Sequence, residues 1–402
     1  MIYNLAQKYV SVLATFFNTF LIVRYLDIGY LGQYAFLAAS GTIYSVFVTA
    51  GIRSIYLREI VKNRENREAQ RVFSVFAEVV PKTTGLITCI TFSTFATLIS
   101  FDTKDAVTVA LVGTSLASTQ LTSQKVRSHG QNTLAQIIMN IRPIIFTALL
   151  LLAGIQGGKV LQTHFHALVI TSFVLPAILA YFYWLTRYYD FVFYKVTLNE
   201  LWQSAKSFVK EMPALIMLAF GQKAITQCDV ITVTALLGLD AAGTYRLATQ
   251  IVTVANASLF PIRSQLVRKY SKFLDEGRAK EAEAVTQQVA KIGIFLYVAI
   301  LFTELVVIYQ APYLNAIKYN EDFYLSLGVL AFSGLVKAGI PMIDNYIIFQ
   351  NKSKKGAIVL LGVVICNIVF LLVLIPLLGL PGACTATLLS VLSWRVAVKR
   401  FI

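Results

Sequence analysis

Long apolar windows follow one another along the whole chain, and short polar segments separate them. Each window has about 20 nearly uncharged residues, enough for a helix to cross a hydrocarbon layer about 30 Å thick. The pattern predicts an all-α polytopic membrane protein with about twelve transmembrane helices, at 3–24, 31–57, 78–100, 106–123, 134–154, 165–186, 213–237, 241–265, 290–310, 325–349, 357–378 and 383–398.

The composition agrees with this prediction. Of the 402 residues, 57% are hydrophobic and 14% are charged, and the mean hydropathy is +0.69. A soluble globular protein cannot bury so much apolar surface. The first window contains Lys8 and lacks a small-residue cleavage site followed by a soluble domain, so we expect a retained helix and not a removed signal peptide.

The cysteines and histidines do not indicate a metal site. The four cysteines lie in apolar windows without CxxC spacing, so we expect no disulfide framework either. His164 and His166 are two positions apart, which points them to different faces of a helix. We therefore expect no metal and no cofactor.

Lys and Arg residues are distributed unevenly between the two sides of the predicted membrane. With a cytoplasmic N-terminus, the inner segments hold 23 of the 35 Lys and Arg residues, and the outer connections hold only Arg24, Lys104, Lys159 and Lys318. The positive-inside rule therefore places both termini in the cytoplasm. Since orientation and anionic headgroups account for the net charge of +15, we expect no nucleic-acid partner.

The stretch RYLDIGYLGQYAFLA at 24–38 is matched later by LLGLDAAGTYRLATQ at 236–250. Gly32 and Tyr34 precede Gly243 and Tyr245 by 211 positions. Both halves hold six predicted helices, so the repeat is parallel and predicts two six-helix lobes, an architecture of secondary transporters. The predicted domains are an N-lobe at 1–186, a cytoplasmic amphipathic connector at 187–212 and a C-lobe at 213–402.

Several charged side chains lie inside the predicted spans, where a charge in lipid costs from about 2.5 to more than 10 kcal/mol. The basic ones are Arg53, Lys82, Arg142, Lys223, Arg246, Arg263, Lys337 and Arg395, and the acidic ones are Glu78, Asp229, Glu304 and Asp344. Snorkelling to the interface is one explanation of Arg53, Arg263 and Arg395. Glu78 and Lys82 are four positions apart, which predicts a helical ion pair.

Arg142, Lys223 and Lys337 are eight or more residues from both ends of their windows and cannot easily reach a headgroup layer. Asp229 and Asp344 are candidates to neutralise Lys223 and Lys337, although their separations along the chain exclude direct contact on one helix. Even with every acid paired, four basic groups stay unbalanced, which favours an anionic substrate in a water-filled seam. Arg246, near the outer face, either guards the exit of this seam or anchors its helix at the interface.

The order of Arg24, Gly32, Tyr34, an apolar run containing Gly51, and REI at 58–60 resembles the first two helices of O-antigen and polysaccharide flippases. The second half shows a matching order in QCDVITVTALLG with Asp229, then Gly243, Tyr245 and Pro261. The resemblance covers nearly the whole chain through loose motifs in a specific order, and Asp27 departs from the glycine usual in the family.

This resemblance implies the multidrug/oligosaccharidyl-lipid/polysaccharide exporter superfamily, with a MATE-like fold. It implies movement of undecaprenyl-pyrophosphate-linked oligosaccharide across the bacterial inner membrane, with membrane lipids and the glycan polymerase machinery as partners. Family members hold the pyrophosphate on cationic residues of a central cavity. We expect this cavity to contain Arg142, Lys223, Lys337, Arg246 and Arg53, and we expect Asp229, Asp344 and Glu304 to supply counter-charges or ion coupling.

Three alternatives stay open. A cation-coupled multidrug exporter of the same superfamily needs an unpaired carboxylate deep in a lobe, for which Asp229, Glu304 and Asp344 are candidates. A membrane-embedded glycan polymerase or ligase needs a sizeable outer loop with acid, base or Arg groups. The longest outer connection, about 311–324, is short and has no His, so we expect a transporter and not an enzyme. The last alternative is an inert membrane scaffold.

Overall fold

Every predicted apolar window overlaps a helix in the computed structural model. The structure describes residues 2–53, 56, 59–60, 63, 65–98, 102–188, 196–257, 273, 276, 278–310, 321–338 and 353–399. Within these ranges the helices are α1 (Ile2–Tyr25), α2 (Ile28–Thr49), α3 (Arg67–Leu98), α4 (Thr103–Ser128), α5 (Asn132–Asn140), α6 (Arg142–Gln156), α7 (Gly158–Thr163), α8 (Phe165–Arg187), α9 (Leu198–Leu237), α10 (Leu239–Ala257), α11 (Ala279–Gln310), α12 (Glu321–Ala338), α13 (Ser353–Leu378) and α14 (Leu380–Lys399). In this part of the chain no β-strand occurs.

Many of these helices are apolar enough for a membrane. Among the described residues, seven helical segments are long and apolar enough to cross one: Ala6–Tyr25, Ile28–Thr49, Arg67–Phe92, Asn132–Ile155, Phe165–Arg187, Met212–Leu237 and Ile358–Leu378. The protein is therefore a multi-pass membrane protein. The number of crossings and the cytoplasmic position of the termini stay predictions.

The chain forms two compact units. The first unit consists of Met1–Leu21 and Phe36–Gln227, and the second consists of Ile22–Ala35 and Cys228–Ile402. In the first unit α4 packs along α8, α3 and α5. In the second unit α12 packs against α10, α11 and α14, and α13 packs along α14. The division into an N-lobe, a connector at 187–212 and a C-lobe stays a prediction.

Two predicted spans are interrupted in the structure. The span predicted at 31–57 is wrong as a continuous helix, because α2 ends at Thr49 and Ala50 and Gly51 adopt φ values of +47° and +77°. A right-handed helix cannot continue through such residues. The span at 134–154 breaks between α5 and α6 beside Pro143, which lacks the N–H that a continuous helix needs.

Helix α9 begins with a capping box and runs for 40 residues. The backbone N–H and the hydroxyl of Thr197 both donate to Glu200 Oε2, at 2.7 and 2.8 Å. These hydrogen bonds hold the pKa of the exposed Glu200 carboxyl below its usual range. Helix α9 therefore includes the second half of the predicted connector, where Trp202 is 70% exposed.

The repeat-related glycines lie in backbone contact within the second unit. A Cβ atom on Gly32 would lie 1.9 Å from the carbonyl oxygen of Leu239, and one on Gly243 would lie 2.0 Å from the carbonyl oxygen of Ile28. Ile28 and Leu239 are themselves 211 positions apart, like the two glycines. The contact between the first turns of α2 and α10 is thus symmetric, and it exists because neither glycine has a side chain.

Candidate functional site

The break after α2 places Arg53 inside the first unit. A Cβ atom on Gly51 would lie 2.8 Å from Cβ of Leu215 on α9, so the chain turns in close contact with that helix. Two residues later, Nη1 of Arg53 donates to Oε1 of Gln120 on α4 at 2.9 Å. Gln120 is 8% exposed, so this hydrogen bond holds the guanidinium within the helix packing.

Two further cations act electrostatically on Arg53. Arg127 near the end of α4 and Lys223 on α9 both lie within electrostatic range of its guanidinium. In the part of the chain that the structure describes, none of the three forms an ion pair with an acidic side chain. We call Arg53, Arg127 and Lys223 the cationic cluster. Like charges held together in a membrane protein repel each other, and an anion placed among them relieves that repulsion.

Arg142 occupies a different place in the first unit. It begins α6, and its guanidinium lies 4.3 Å from the ring centroid of Phe173 on α8, within cation–π range. The described contacts do not connect it to the cationic cluster. The adjacent carbonyl of Pro143 accepts hydrogen bonds from Asn18 Nδ2 at 2.9 Å and Thr147 Oγ1 at 2.8 Å. These donors stabilise the broken helix.

The predicted ion pair of Glu78 with Lys82 is wrong. Glu78 on α3 instead pairs with Lys125 on α4, while the Lys82 ammonium lies 6.0 Å from the ring centroid of Tyr181. The span predicted at 106–123 ends before Lys125, but α4 continues to Ser128 and buries this residue to 1% exposure. A buried ammonium requires a carboxylate partner, and this requirement outweighs the weak preference for a pair within one helix.

A second polar cluster lies in the second unit around Asp229, which is 5% exposed. Its Oδ2 atom accepts hydrogen bonds from Tyr245 on α10 at 2.9 Å and from Thr387 on α14 at 2.8 Å. Asn367 on α13 lies within electrostatic range of this carboxylate, and its Nδ2 donates to Ser390 Oγ at 2.6 Å. Four helices therefore contribute polar groups to one buried site, which we call the Asp229 cluster.

Lys337 is an exposed residue near the end of α12. Its ammonium lies within electrostatic range of the Asp229 carboxylate, but the two groups form no ion pair among the described residues. Lys223 and Asp229 likewise form no ion pair in the described part of the chain, and the suggested neutralisation of Lys223 by Asp229 stays a prediction. Asp344, the suggested partner of Lys337, lies outside the described residues.

The two other predicted site residues of the second unit are Arg246 and Glu304. Arg246 is half-buried on α10, next to Tyr245. Glu304 lies on α11, and both of its carboxylate oxygens are buried without a hydrogen-bond partner among the described residues. No group of three or more His, Cys, Asp and Glu side chains in the described ranges is arranged to hold a metal ion.

Sequence reasoning missed Gln120, Asn18, Asn367 and the buried position of Lys125. Their signal is available in the sequence, because each is a polar residue within or at the end of an apolar helix. Such residues mark helix faces that contact protein or water and not lipid. Which residues they contact depends on neighbours far away in the chain.

Comparison with known families and structures gives the relationships of this chain. The family model for the polysaccharide biosynthesis protein family matches residues 1–267. A search of curated protein sequences found no match.

Among solved structures, an inward-facing multidrug resistance MATE family transporter of the MOP superfamily is 14% identical, with a TM-score of 0.62, over 99% of this chain and 92% of that one. An outward-facing one is 12% identical, with a TM-score of 0.51, over 98% and 94%. A MOP superfamily transporter from Pyrococcus furiosus, described as having a binding pocket of reverse polarity, is 13% identical, with a TM-score of 0.51, over 100% and 92%. At these identities the likeness shows a shared fold, so the chain has the MATE-like fold of these membrane transporters.

Proposed function

Because the chain belongs to the polysaccharide biosynthesis protein family, we propose that it is a flippase for a lipid-linked oligosaccharide. The proposed substrate is an undecaprenyl-pyrophosphate-linked unit of O-antigen or another surface polysaccharide, and the proposed location is the bacterial inner membrane. Transport uses alternating access and no catalytic step. Cationic residues of the protein bind the pyrophosphate during the crossing.

The observation that carries this proposal is the cationic cluster. Arg127 and Lys223 both lie within electrostatic range of Arg53, and the three have no acidic partner in the ranges that the structure describes. Three unbalanced positive charges would repel a cationic substrate, so they do not suit a protein that transports cations. A protein that transports an anion gains favourable interactions from them each time the substrate arrives.

The chemistry of a pyrophosphate matches these side chains. The guanidinium of Arg53 can donate two parallel hydrogen bonds to phosphate oxygens, and the ammonium of Lys223 supplies a point charge on a flexible stem. The hydrogen bond from Arg53 to Gln120 fixes the guanidinium before substrate binds. Pre-ordering of this kind lowers the entropic cost of binding. The polyprenyl tail stays in the lipid throughout.

Arg142, Lys337 and Arg246 are the other proposed cavity residues. Arg142 fits this role because its charge lies over an aromatic ring and pairs with no carboxylate among the residues that the structure describes. Arg246 fits a position on the exit route, since it follows the Gly32–Gly243 contact by one turn of α10. Lys337 differs from both because the Asp229 carboxylate lies within its electrostatic range.

Charge removal in the cationic cluster tests the proposal. We expect the double variant Arg53→Gln, Lys223→Gln to lower the crossing of a fluorescent undecaprenyl-pyrophosphate oligosaccharide in proteoliposomes at least tenfold, or by about 1.4 kcal/mol. The matched control is Arg395→Gln, which removes an exposed guanidinium of α14. Unchanged unfolding midpoints show that each variant is folded. Wild-type crossing by the folded double variant would contradict the proposed site.

A cation-coupled multidrug exporter is the second candidate function, and Glu304 is the observation that favours it. Its buried carboxylate oxygens have no hydrogen-bond donor within the described ranges, and such a group is suited to bind a proton, a metal ion or a cationic drug. This function predicts that Glu304→Gln abolishes movement of a cationic dye driven by a proton or sodium gradient. The flippase proposal predicts no such dye movement in the wild-type protein.

A further inference from the structure

The break after α2 leaves carbonyl groups that this helix cannot satisfy by itself. In a continuous helix each carbonyl accepts from the N–H four residues later, but Ala50 and Gly51 leave the helical conformation. The N–H of Ala50 still donates to the carbonyl oxygen of Val46 at 3.1 Å. The helical donor for Val48 would be the N–H of Ile52, which lies beyond the break. Because the membrane interior offers no water, the carbonyl of Val48 needs a donor from another helix.

A hydroxyl group of α3 is this donor. Oγ1 of Thr84 donates to the carbonyl oxygen of Val48 at 2.6 Å. The same hydroxyl lies 2.7 Å from the carbonyl oxygen of Val80, which has the N–H of Thr84 as its helical donor within α3. The two helices are close here, since a Cβ atom on Gly85 would lie 3.4 Å from Cγ1 of Val48. Thr84 therefore caps the end of α2 from a neighbouring helix.

Helix α3 also contacts the chain beyond the break. The hydroxyl groups of Tyr56 and Ser74 are hydrogen-bonded at 3.0 Å, and Tyr56 is fully buried. Ile52 and Tyr56 belong to the same apolar cluster as Phe73 of α3. Along the chain, Arg53 lies between the Thr84 contact and these later contacts. The position of its guanidinium therefore depends on how firmly α3 holds the break.

We propose that Thr84 is a positioning residue for Arg53, which acts by capping α2 and holding the break that precedes this guanidinium. The consequence for transport rests on the proposed flippase function, whereas the hold on the break does not. The neighbouring Thr83 provides a natural comparison. Its hydroxyl is exposed, and its described hydrogen bonds go to carbonyl oxygens of α3 itself, those of Val79 and Val80 at 3.2 and 2.9 Å.

The first test measures hydrogen–deuterium exchange of the backbone amides at 50–53 in the full-length protein in detergent. Thr84→Val keeps the shape of the side chain and removes its donor. We expect these amides to exchange about fivefold faster in this variant, the factor expected for the net loss of one hydrogen bond. Thr84→Ser keeps the hydroxyl and should match the wild type, as should the control Thr83→Val. Thr84→Ala removes the same donor and replaces Thr84→Val if that variant does not fold.

The second test measures crossing of the fluorescent undecaprenyl-pyrophosphate oligosaccharide in proteoliposomes. We expect Thr84→Val to lower crossing about fivefold, and Thr84→Ser and Thr83→Val to cross like the wild type. In the Arg53→Gln background, Thr84→Val should lower crossing no further, because it acts through Arg53. A substitution that merely destabilises the fold would lower crossing by the same factor in both backgrounds.

The two tests separate the possible failures. Wild-type exchange in folded Thr84→Val would overturn the proposal, since the hydroxyl would then not hold the break. If Arg53→Gln lowers crossing, the positioning role is overturned by unchanged crossing in Thr84→Val or by an equal further loss in the Arg53→Gln background. If Arg53→Gln crosses like the wild type, the proposed anion site fails instead, and exchange alone decides whether Thr84 holds the break.

Discussion

Gly32 and Gly243 are 211 positions apart in the chain and lie in backbone contact in the folded protein. A Cβ atom on either glycine would lie well inside van der Waals contact with a carbonyl oxygen of the other repeat, at 1.9 Å for Gly32 and 2.0 Å for Gly243. No side chain fits at either position. The two repeats thus contribute equivalent glycines to one close helix contact, and both positions require glycine.

Gly243→Ala should destabilise the protein by about 2 kcal/mol or more, because the new methyl group overlaps the carbonyl of Ile28. Gly362→Ala on α13 is the matched control, since nothing lies within 4 Å of its Cβ position. There alanine should be neutral or stabilise the helix by up to about 1 kcal/mol. Unfolding midpoints of both variants check the prediction. Equal midpoints would mean that α2 and α10 do not pack through the glycines.

Lys125→Met should cost about 3–5 kcal/mol, because it leaves the Glu78 carboxylate buried without its partner. Lys82→Met should cost far less, since this ammonium lies over Tyr181 and forms no ion pair with Glu78 in the described structure. Chemical or thermal unfolding of the two variants in detergent measures the difference. Losses of equal size would favour the Glu78–Lys82 pair that helical spacing predicts.

The His129 imidazole gives the protein a pH dependence outside the apolar spans. Burial lowers its pKa below the ordinary value of 6.5, although its Nδ1 atom lies 3.0 Å from the carbonyl oxygen of Lys125. Because the folded state holds the proton less tightly than the unfolded state, this contribution to stability is complete above pH 6.5 and is lost as the pH falls below it. We therefore expect the unfolding temperature of the wild-type protein to decrease as the pH is lowered below 6.5.

His129→Gln should flatten this pH dependence, since glutamine does not titrate. His164→Gln, which removes an exposed imidazole, is the matched control. Midpoints measured from pH 7.5 to pH 5 would check both variants. The same slope in His129→Gln and the wild type would assign the pH dependence to another group.

Sequence patterns were sufficient for the helices and insufficient for their pairings. Apolar windows located the helices because a membrane segment needs about 20 such residues, whatever its neighbours. The end of α2 at Thr49 was missed because no proline marks it and Ala50 is an ordinary helix former. The break before α6 was missed as well, although Pro143 lies beside it and proline removes a backbone donor.

The candidate site shows the same division. The sequence identified Arg53, Lys223, Lys337 and Asp229 as costly charges in the membrane, because that cost depends only on depth. It did not identify their partners: Thr387 is 158 positions from Asp229, and Gln120 is 67 positions from Arg53. The rule for pairs four residues apart applies to one helix only, which is why it selected Lys82 over Lys125 for Glu78.

Transport by the wild-type protein tests most directly whether this chain moves an anionic lipid-linked glycan. Proteoliposomes would receive either a labelled undecaprenyl-pyrophosphate oligosaccharide or a cationic dye, each with and without a proton or sodium gradient. The flippase proposal predicts that the glycolipid crosses and the dye does not. Dye movement driven by the gradient, without crossing of the glycolipid, would contradict it and would favour an exporter that uses Glu304.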